Sequence, residues 1–188
     1  MRVIGLAGWS GAGKTTLVAK LIPELNRRGL SVSTVKHAHH AFEIDRPGKD
    51  SFEHRRAGAS EVLVASARRW ALVRELRGED EPSLAALLRR LSPVDLVIVE
   101  GFKAEPHPKI EVFRAANGKP PLFGRVPNVR AIASDVPLPG APLHILHLDD
   151  VAGIAEEAIG LSAPLDETLA ALGTASERAP SRSGPVPA

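Results

Sequence analysis

Several residue types and patterns are absent from this 188-residue sequence. It has no cysteine, which excludes disulfides, thiolate metal ligands and thiol nucleophiles, and we expect a cytoplasmic protein. No apolar run approaches the ~20 residues that span a membrane, so we expect no membrane partner. The net charge is only +2, from 24 basic and 22 acidic residues, which argues against the broad basic surface of a nucleic-acid-binding protein. The chain is therefore close to neutral, and its length suits one medium-sized α/β domain.

Segments with strand and helix patterns alternate along most of the chain. Short apolar runs predict strands at residues 3–7, 30–35, 61–65, 69–73, 96–99, 110–113, 131–133 and 143–148. Apolar residues at helical spacing predict helices at residues 15–28, 83–91 and 149–159, and a further helix starts near residue 50. This alternation is typical of an α/β fold in three layers, with a mostly parallel, doubly wound sheet.

The composition changes toward the end of the chain. From about Ser162 the sequence is rich in alanine, serine, threonine, glycine and proline. Such a segment has little apolar surface with which to offset its ordering entropy. We therefore predict one domain at residues 1–161 and a disordered tail at residues 162–188.

The turn after the first predicted strand carries a specific motif. Residues 8–15 (GWSGAGKT) match G-x-x-x-x-G-K-[ST] at every fixed position, between a strand and a helix. The glycines let backbone N–H groups face a phosphate, Lys14 adds a positive charge, and the Thr15 hydroxyl is a ligand suited to Mg²⁺. The expected phosphate-binding residues are Gly8, Ser10, Gly11, Ala12, Gly13, Lys14, Thr15 and Thr16. The motif predicts a nucleoside triphosphate site in a P-loop NTPase-like fold.

A carboxylate directly follows the most apolar predicted strand. Glu100 comes after residues 96–99, and ligands collect at the carboxyl ends of parallel strands. We predict that Glu100 lies near the metal, where it accepts a hydrogen bond from metal-bound water or polarises the attacking water. Lys14 and Glu100 are therefore the candidate catalytic residues, and Thr15 and Glu100 are candidate metal-site residues.

Four of the seven histidines lie between residues 37 and 54, and this segment has three open interpretations. In the first, His37 and His39, with Asp45 or His54, bind a transition metal. In the second, a polar loop binds an anionic ligand or the triphosphate itself, with Asp45 or Asp50 serving Mg²⁺; its residues are Lys36, His39, His40, Arg46 and Lys49. In the third, the loop is solvated and its histidines bind nothing. Because the segment follows the second predicted strand, at the edge that carries the phosphate loop, we favour the second interpretation.

Several segments together resemble one protein family. These are GWSGAGKTT at residues 8–16, KHAHH at 36–40, DRPGKDS at 45–51, HRRAGA at 54–59, EGFK at 100–103 and ASDVP at 133–137. The combination is similar to the molybdopterin-guanine dinucleotide biosynthesis adapter proteins, known as the MobB family, over about residues 1–160. One departure is Ala41, where an acidic residue is expected in such proteins.

The resemblance implies a homodimeric protein that binds GTP with Mg²⁺ and hydrolyses it slowly at most. It implies, as partners, the molybdenum cofactor guanylyltransferase that attaches GMP to molybdopterin, and molybdopterin itself or its enzyme-bound form. By matching positions, Gly11, Gly13, Lys14, Thr15 and Thr16 hold the phosphates and Glu100 lies near the metal or water. Residues 36–49 close over the site or contact the pterin or its enzyme.

Guanine recognition and the choice of function remain open at this point. The N-K-x-D signal of many GTPases is absent, and Asp135, after the predicted strand at 131–133, is the candidate carboxylate for guanine. Its alternative role is to start a turn before Val136 and Pro137. Two rival functions share these residues: a P-loop small-molecule kinase, and a GTPase-type metallochaperone that uses the histidines at 37–40.

Overall fold

The computed structural model describes residues 1–38 and 44–178, and the chain divides into two compact units. One unit comprises Met1–His37 and Leu84–Ala188, and the other is Ala38–Ser83. In chain order the elements are β1 (Arg2–Ala7), α1 (Lys14–Arg27), β2 (Val32–Lys36), α2 (Asp50–Arg56), β3 (Glu61–Ala65), β4 (Trp70–Arg74), α3 (Leu84–Leu88), β5 (Leu96–Glu100), β6 (Lys109–Phe113), a 3-10 turn (Ala115–Asn117), β7 (Val129–Ser134), β8 (His144–His147), α4 (Val151–Leu161), β9 (Ala163–Pro164) and α5 (Leu165–Arg178).

A mostly parallel sheet forms the centre of the larger unit. Its strand order is β2-β5-β1-β6-β7-β8, and these six strands are parallel, while the short β9 pairs antiparallel with the start of β1. Because the strands are parallel, the carboxyl ends of β1, β2, β5, β6 and β7 meet at one edge of the sheet. That edge carries the phosphate loop.

Helices cover both faces of this sheet, as the alternation of side chains along each strand requires. On one face, Leu17, Leu21 and Leu25 of α1 pack in a core with Ile4 and Leu6 of β1, and α4 joins the same core. On the other face, buried leucines of α3 and α5 pack against residues of β1 and β5: Val3, Leu84, Leu88, Val97, Val99 and Leu172. The predicted three-layer α/β fold is confirmed.

The prediction of disorder from residue 162 is wrong for residues 163–178, which form β9 and α5. Leu172 is buried, and Leu165 and Leu169 pack against the same core. These leucines recur at helical spacing and bury one face, which outweighs the polar composition of the segment. Residues 179–188 lie outside the described residues.

The smaller unit contains α2 and a separate antiparallel hairpin of β3 and β4. The hairpin pairs Glu61 with Arg74 at one end and Ala65 with Trp70 at the other. The predicted strands at 61–65 and 69–73 are therefore present but do not join the parallel sheet. None of the helices in residues 1–38 and 44–178 is long and apolar enough to cross a membrane.

Candidate functional site

The loop at residues 8–15 connects β1 to α1 and requires glycine at several positions. Gly11 and Gly13 have φ of 80° and 95°, in the left-handed region that favours glycine. A Cβ on Gly8 would lie 2.6 Å from the backbone oxygen of Val112 in β6, so a larger residue would displace the loop. The start of α1 has no side-chain cap and no acidic residue in its first turn. Its N–H groups therefore form an anion-binding site.

Lys14 folds back over its own loop. Its Nζ donates to the backbone oxygens of Gly8 and Trp9, at 3.0 Å each. Burial lowers the pKa of Lys14, Glu100 opposes that shift, and the nearby charges of Lys103 and Lys36 lower the pKa further. The ammonium group is thus close to other cations and is positioned to exchange its carbonyl partners for phosphate oxygens.

Three predicted site residues meet where β1, β5 and β2 end. Thr15 Oγ1 donates to Glu100 Oε1 at 3.0 Å. Lys36 Nζ donates to Thr15 Oγ1 at 3.4 Å and lies 3.8 Å from Glu100 Oε1. The strand register explains this meeting, because Glu100 pairs with Lys36 on one side and with Leu6, just before the loop, on the other. A hydroxyl and a carboxylate oxygen together are suitable donors for Mg²⁺.

Asp135 lies on the opposite side of the loop, after β7. Its Oδ1 accepts a hydrogen bond from the backbone N–H of Ala115 at 2.9 Å, and its Oδ2 lies 3.6 Å from Arg114 Nη1. Asp135 therefore holds the turn that follows β6. This turn is not the one before Val136 and Pro137, where Ser134 Oγ makes the side-chain hydrogen bonds, and the guanine role of Asp135 stays a prediction.

Sequence reasoning missed the segment at residues 114–123, which contacts the phosphate loop repeatedly. Asn117 Nδ2 donates to the backbone oxygen of Ser10 at 3.1 Å, and a Cβ on Gly11 would lie 3.1 Å from Asn117 Oδ1. The indole Nε1 of Trp9 donates to the backbone oxygen of Pro120 at 2.8 Å. The available signal was position, since this segment follows a strand of the parallel sheet at the ligand-binding edge.

Glu111 of β6 anchors the far end of that segment. It is buried, and its two carboxylate oxygens accept hydrogen bonds from the backbone N–H groups of Leu122, at 2.6 Å, and Phe123, at 2.8 Å. Burial raises the pKa of Glu111, and the two hydrogen bonds partly offset the shift. The wall of the phosphate loop is thus fixed at Asp135 and at Glu111.

The remaining predicted site residues lie in or near the smaller unit. Both carboxylate oxygens of Asp45 accept hydrogen bonds from Arg55, from Nη2 at 2.9 Å and Nε at 3.3 Å. Lys49 immediately precedes α2. His39 and His40 lie outside the described residues, and among the residues that are described no group of three or more histidine and acidic side chains could hold a metal ion. The roles of these four residues stay predictions.

Comparison with known proteins agrees with this architecture. The family model described as "Molybdopterin guanine dinucleotide synthesis protein B" matches residues 3–135. The chain belongs to the MobB family. This confirms the resemblance in the sequence. A molybdopterin-guanine dinucleotide biosynthesis adapter protein of Escherichia coli (strain K12) is 46% identical over 159 residues, which are 82% of this chain and 89% of that protein.

Solved structures of the MobB family share the fold. The crystal structure of molybdopterin-guanine biosynthesis protein B has a TM-score of 0.65 and 28% identity, covering 85% of this chain and 99% of that chain. A MobB protein homolog from Bacillus stearothermophilus has a TM-score of 0.63 and 25% identity, and the match covers 83% of this chain and 97% of that chain. The predicted P-loop NTPase-like fold is therefore confirmed.

Proposed function

We propose that this chain is a GTP-binding adapter protein in the synthesis of molybdopterin-guanine dinucleotide, where it assists the attachment of GMP to molybdopterin. The observation that carries the proposal is the phosphate loop with its Thr15 to Glu100 hydrogen bond of 3.0 Å, in a chain 46% identical to a protein named as an adapter of this synthesis. The proposed partners are the molybdenum cofactor guanylyltransferase, molybdopterin or its enzyme-bound form, and a second copy of the chain in a homodimer. The proposed location is the cytoplasm.

The residues of the phosphate loop divide the work of nucleotide binding. The N–H groups of residues 11–16 bind phosphate oxygens, and Lys14 turns from the carbonyls of its own loop to the phosphates. Thr15 and Glu100 hold Mg²⁺, which when bound neutralises charge on the outer phosphates. Glu100 also orients the attacking water, and we propose weak GTPase activity at most, as suits a protein that acts by binding.

The orientation of the nucleotide follows from the two sides of the loop. The Thr15 and Glu100 pair supports a position for the metal and the outer phosphates on the side of β5 and β2. The nucleoside then extends toward β6 and β7, where Asp135 lies. Guanine presents N–H groups that can donate hydrogen bonds to a carboxylate, so we propose that Asp135 contacts the base. Residues 36–49, including Lys36, His39, His40, Asp45 and Lys49, remain the proposed contact for phosphate, pterin or enzyme.

Fluorescent GTP and ATP analogues, titrated with Mg²⁺, test the proposal. We expect Lys14→Ala to weaken both nucleotides at least tenfold, because a positive charge on the phosphates is lost. We expect Asp135→Asn to weaken GTP about tenfold and leave ATP unchanged, and the exposed Asp166→Asn, on α5, to change neither.

Two results would contradict parts of the proposal separately. Undiminished binding by Lys14→Ala would remove the assignment of the site to the phosphate loop. Equal affinity of the unmodified protein for GTP and ATP would remove the guanine role of Asp135. Phosphate transfer to an acceptor in the same assays would favour the kinase alternative.

A further inference from the structure

The chain makes a strained turn directly after Glu100. Gly101 and Phe102 have φ of 95° and 48°, so both lie in the left-handed region, which costs a non-glycine residue about 1 kcal/mol or more. A Cβ on Gly101 would lie 2.8 Å from the Cβ of His37, and the Phe102 ring packs against the His37 ring with centroids 4.8 Å apart. Glu105 N donates to Phe102 O at 3.1 Å and closes the turn. The turn therefore holds the backbone of the following residue, Lys103, in place.

The side chain of Lys103 extends back to the phosphate loop. Lys103 Nζ lies over the indole of Trp9, 5.0 Å from the ring centroid. The ring itself is fixed, because Trp9 Nε1 donates to Pro120 O on the other side of the loop. Within residues 1–38 and 44–178, no carboxylate forms an ion pair with Lys103. A partly exposed cation–π contact contributes only about 0.5–1 kcal/mol, much less than a charge-assisted hydrogen bond to phosphate.

The described side chains around the loop carry more positive than negative charge. Among the described residues, the ammonium groups of Lys14, Lys36 and Lys103 lie around the loop, and those of Lys14 and Lys36 also interact with the carboxylate of Glu100. A Mg²⁺-bound nucleoside triphosphate carries about two negative charges, and the corresponding diphosphate carries about one. The excess of positive charge among the described side chains therefore favours the triphosphate, which is the more negative of the two ligands.

We propose that Lys103 binds the terminal phosphate and that Trp9 is its partner when that phosphate is absent. Lys103 lies beyond Glu100, on the metal side of the loop, where the outer phosphates are expected; this rests on the proposed function. When the triphosphate binds, the ammonium group moves from the indole to a terminal phosphate oxygen. Trp9 then loses its cation while keeping its hydrogen bond to the 114–123 segment. The site thereby distinguishes GTP from GDP.

Binding of GDP and of a non-hydrolysable GTP analogue, both with Mg²⁺, tests this role. We expect Lys103→Met, which removes the charge and keeps most of the length of the side chain, to weaken binding of the triphosphate about 10- to 100-fold and binding of GDP less than about threefold. Lys103→Arg restores most of the preference. The matched control is Lys20→Met, which removes the same charge from the same unit. Lys20 lies outside the site and pairs with the exposed Asp149, with Nζ 3.5 Å from Oδ1. We expect the control to change neither affinity.

A second readout follows the indole directly. In a Trp70→Phe background Trp9 is the remaining tryptophan, and we expect the GTP analogue to change its emission more than GDP does. Lys103→Met removes that difference. Equal weakening of GTP and GDP, or an unchanged ratio, would overturn the role of Lys103 while leaving GTP binding in place. Failure of the unmodified protein to bind GTP, or binding by Lys14→Ala as strong as its own, would instead overturn the proposed function.

Discussion

His107 predicts a specific loss of stability in acid. Its side chain is only 1% exposed, and neither ring nitrogen has a hydrogen-bond partner among the described residues. Burial, and next the charge of Lys109, lower the pKa of His107 from 6.5 to about 3. The imidazole packs closely against Gly5, since a Cβ on Gly5 would lie 2.4 Å from His107 Nε2. The folded protein therefore keeps this imidazole neutral where the unfolded chain protonates it.

The sign and size of the effect follow from the difference in pKa. Between pH 6.5 and about 3 the unfolded chain binds a proton that the folded protein does not, so stability falls as pH falls through this range. Each pH unit within it contributes about 1.4 kcal/mol. We expect His107 alone to remove about 3 kcal/mol of unfolding free energy between pH 7 and pH 4.5.

Denaturant unfolding of the unmodified protein and of His107→Leu, at several pH values, measures this contribution. The leucine variant cannot titrate at this position, and it also removes an unpaired polar group from the core. The difference in unfolding free energy between the two proteins is expected to grow in favour of the variant as pH falls below 6.5. Other acid-sensitive groups cancel in the difference. Parallel pH curves for the two proteins would show that His107 is protonated or solvated in the folded state, and would refute the reasoning.

Two further substitutions test the wall of the phosphate loop and the C-terminal helix. Glu111→Gln replaces one carboxylate oxygen with an NH₂ group that cannot accept from Leu122 or Phe123, so one buried N–H loses its partner. We expect the free energy of unfolding, measured with denaturant, to fall by about 1–3 kcal/mol, and nucleotide binding to weaken. Unchanged stability would mean that the carboxylate is not needed as an acceptor. Leu172→Ala truncates a buried side chain of α5, and we expect the free energy of unfolding to fall by about 2–4 kcal/mol. A change near zero in the same assay would mean that α5 is not part of the core.

The sequence predicted those parts of the site that depend on local pattern. The motif at residues 8–15 is continuous along the chain, and the position of Glu100 follows from a simple rule about the ends of parallel strands. The structure indeed joins Thr15 to Glu100. The strands of the sheet were likewise predicted from short apolar runs, because buried strands leave a continuous signal.

The parts that were missed depend on contacts between distant positions. Asn117 and Ser10 are 107 residues apart in the sequence, and Trp9 and Pro120 are 111 apart, so no local spacing indicates either hydrogen bond. Lys109 is fully buried at the start of β6, with its ammonium group donating to backbone oxygens of Glu105, His107 and Pro127. Composition alone places such a residue on the surface, because charged side chains are rarely buried unless they are paired.

The position of β9 has a consequence for when the binding site is completed during synthesis. Arg2 and Val3, at the start of β1, pair with Pro164 and Ala163, and Leu165 N donates to Met1 O at 3.0 Å. The strand that leads into the phosphate loop is thus synthesised before every strand that pairs with it, and it obtains its full set of neighbours only after β9 has been made. Contacts this far apart in sequence form slowly because a long loop must close first. The nascent chain therefore carries the phosphate loop throughout the synthesis of the segment from β1 to β9 before the strand beneath that loop is fully paired.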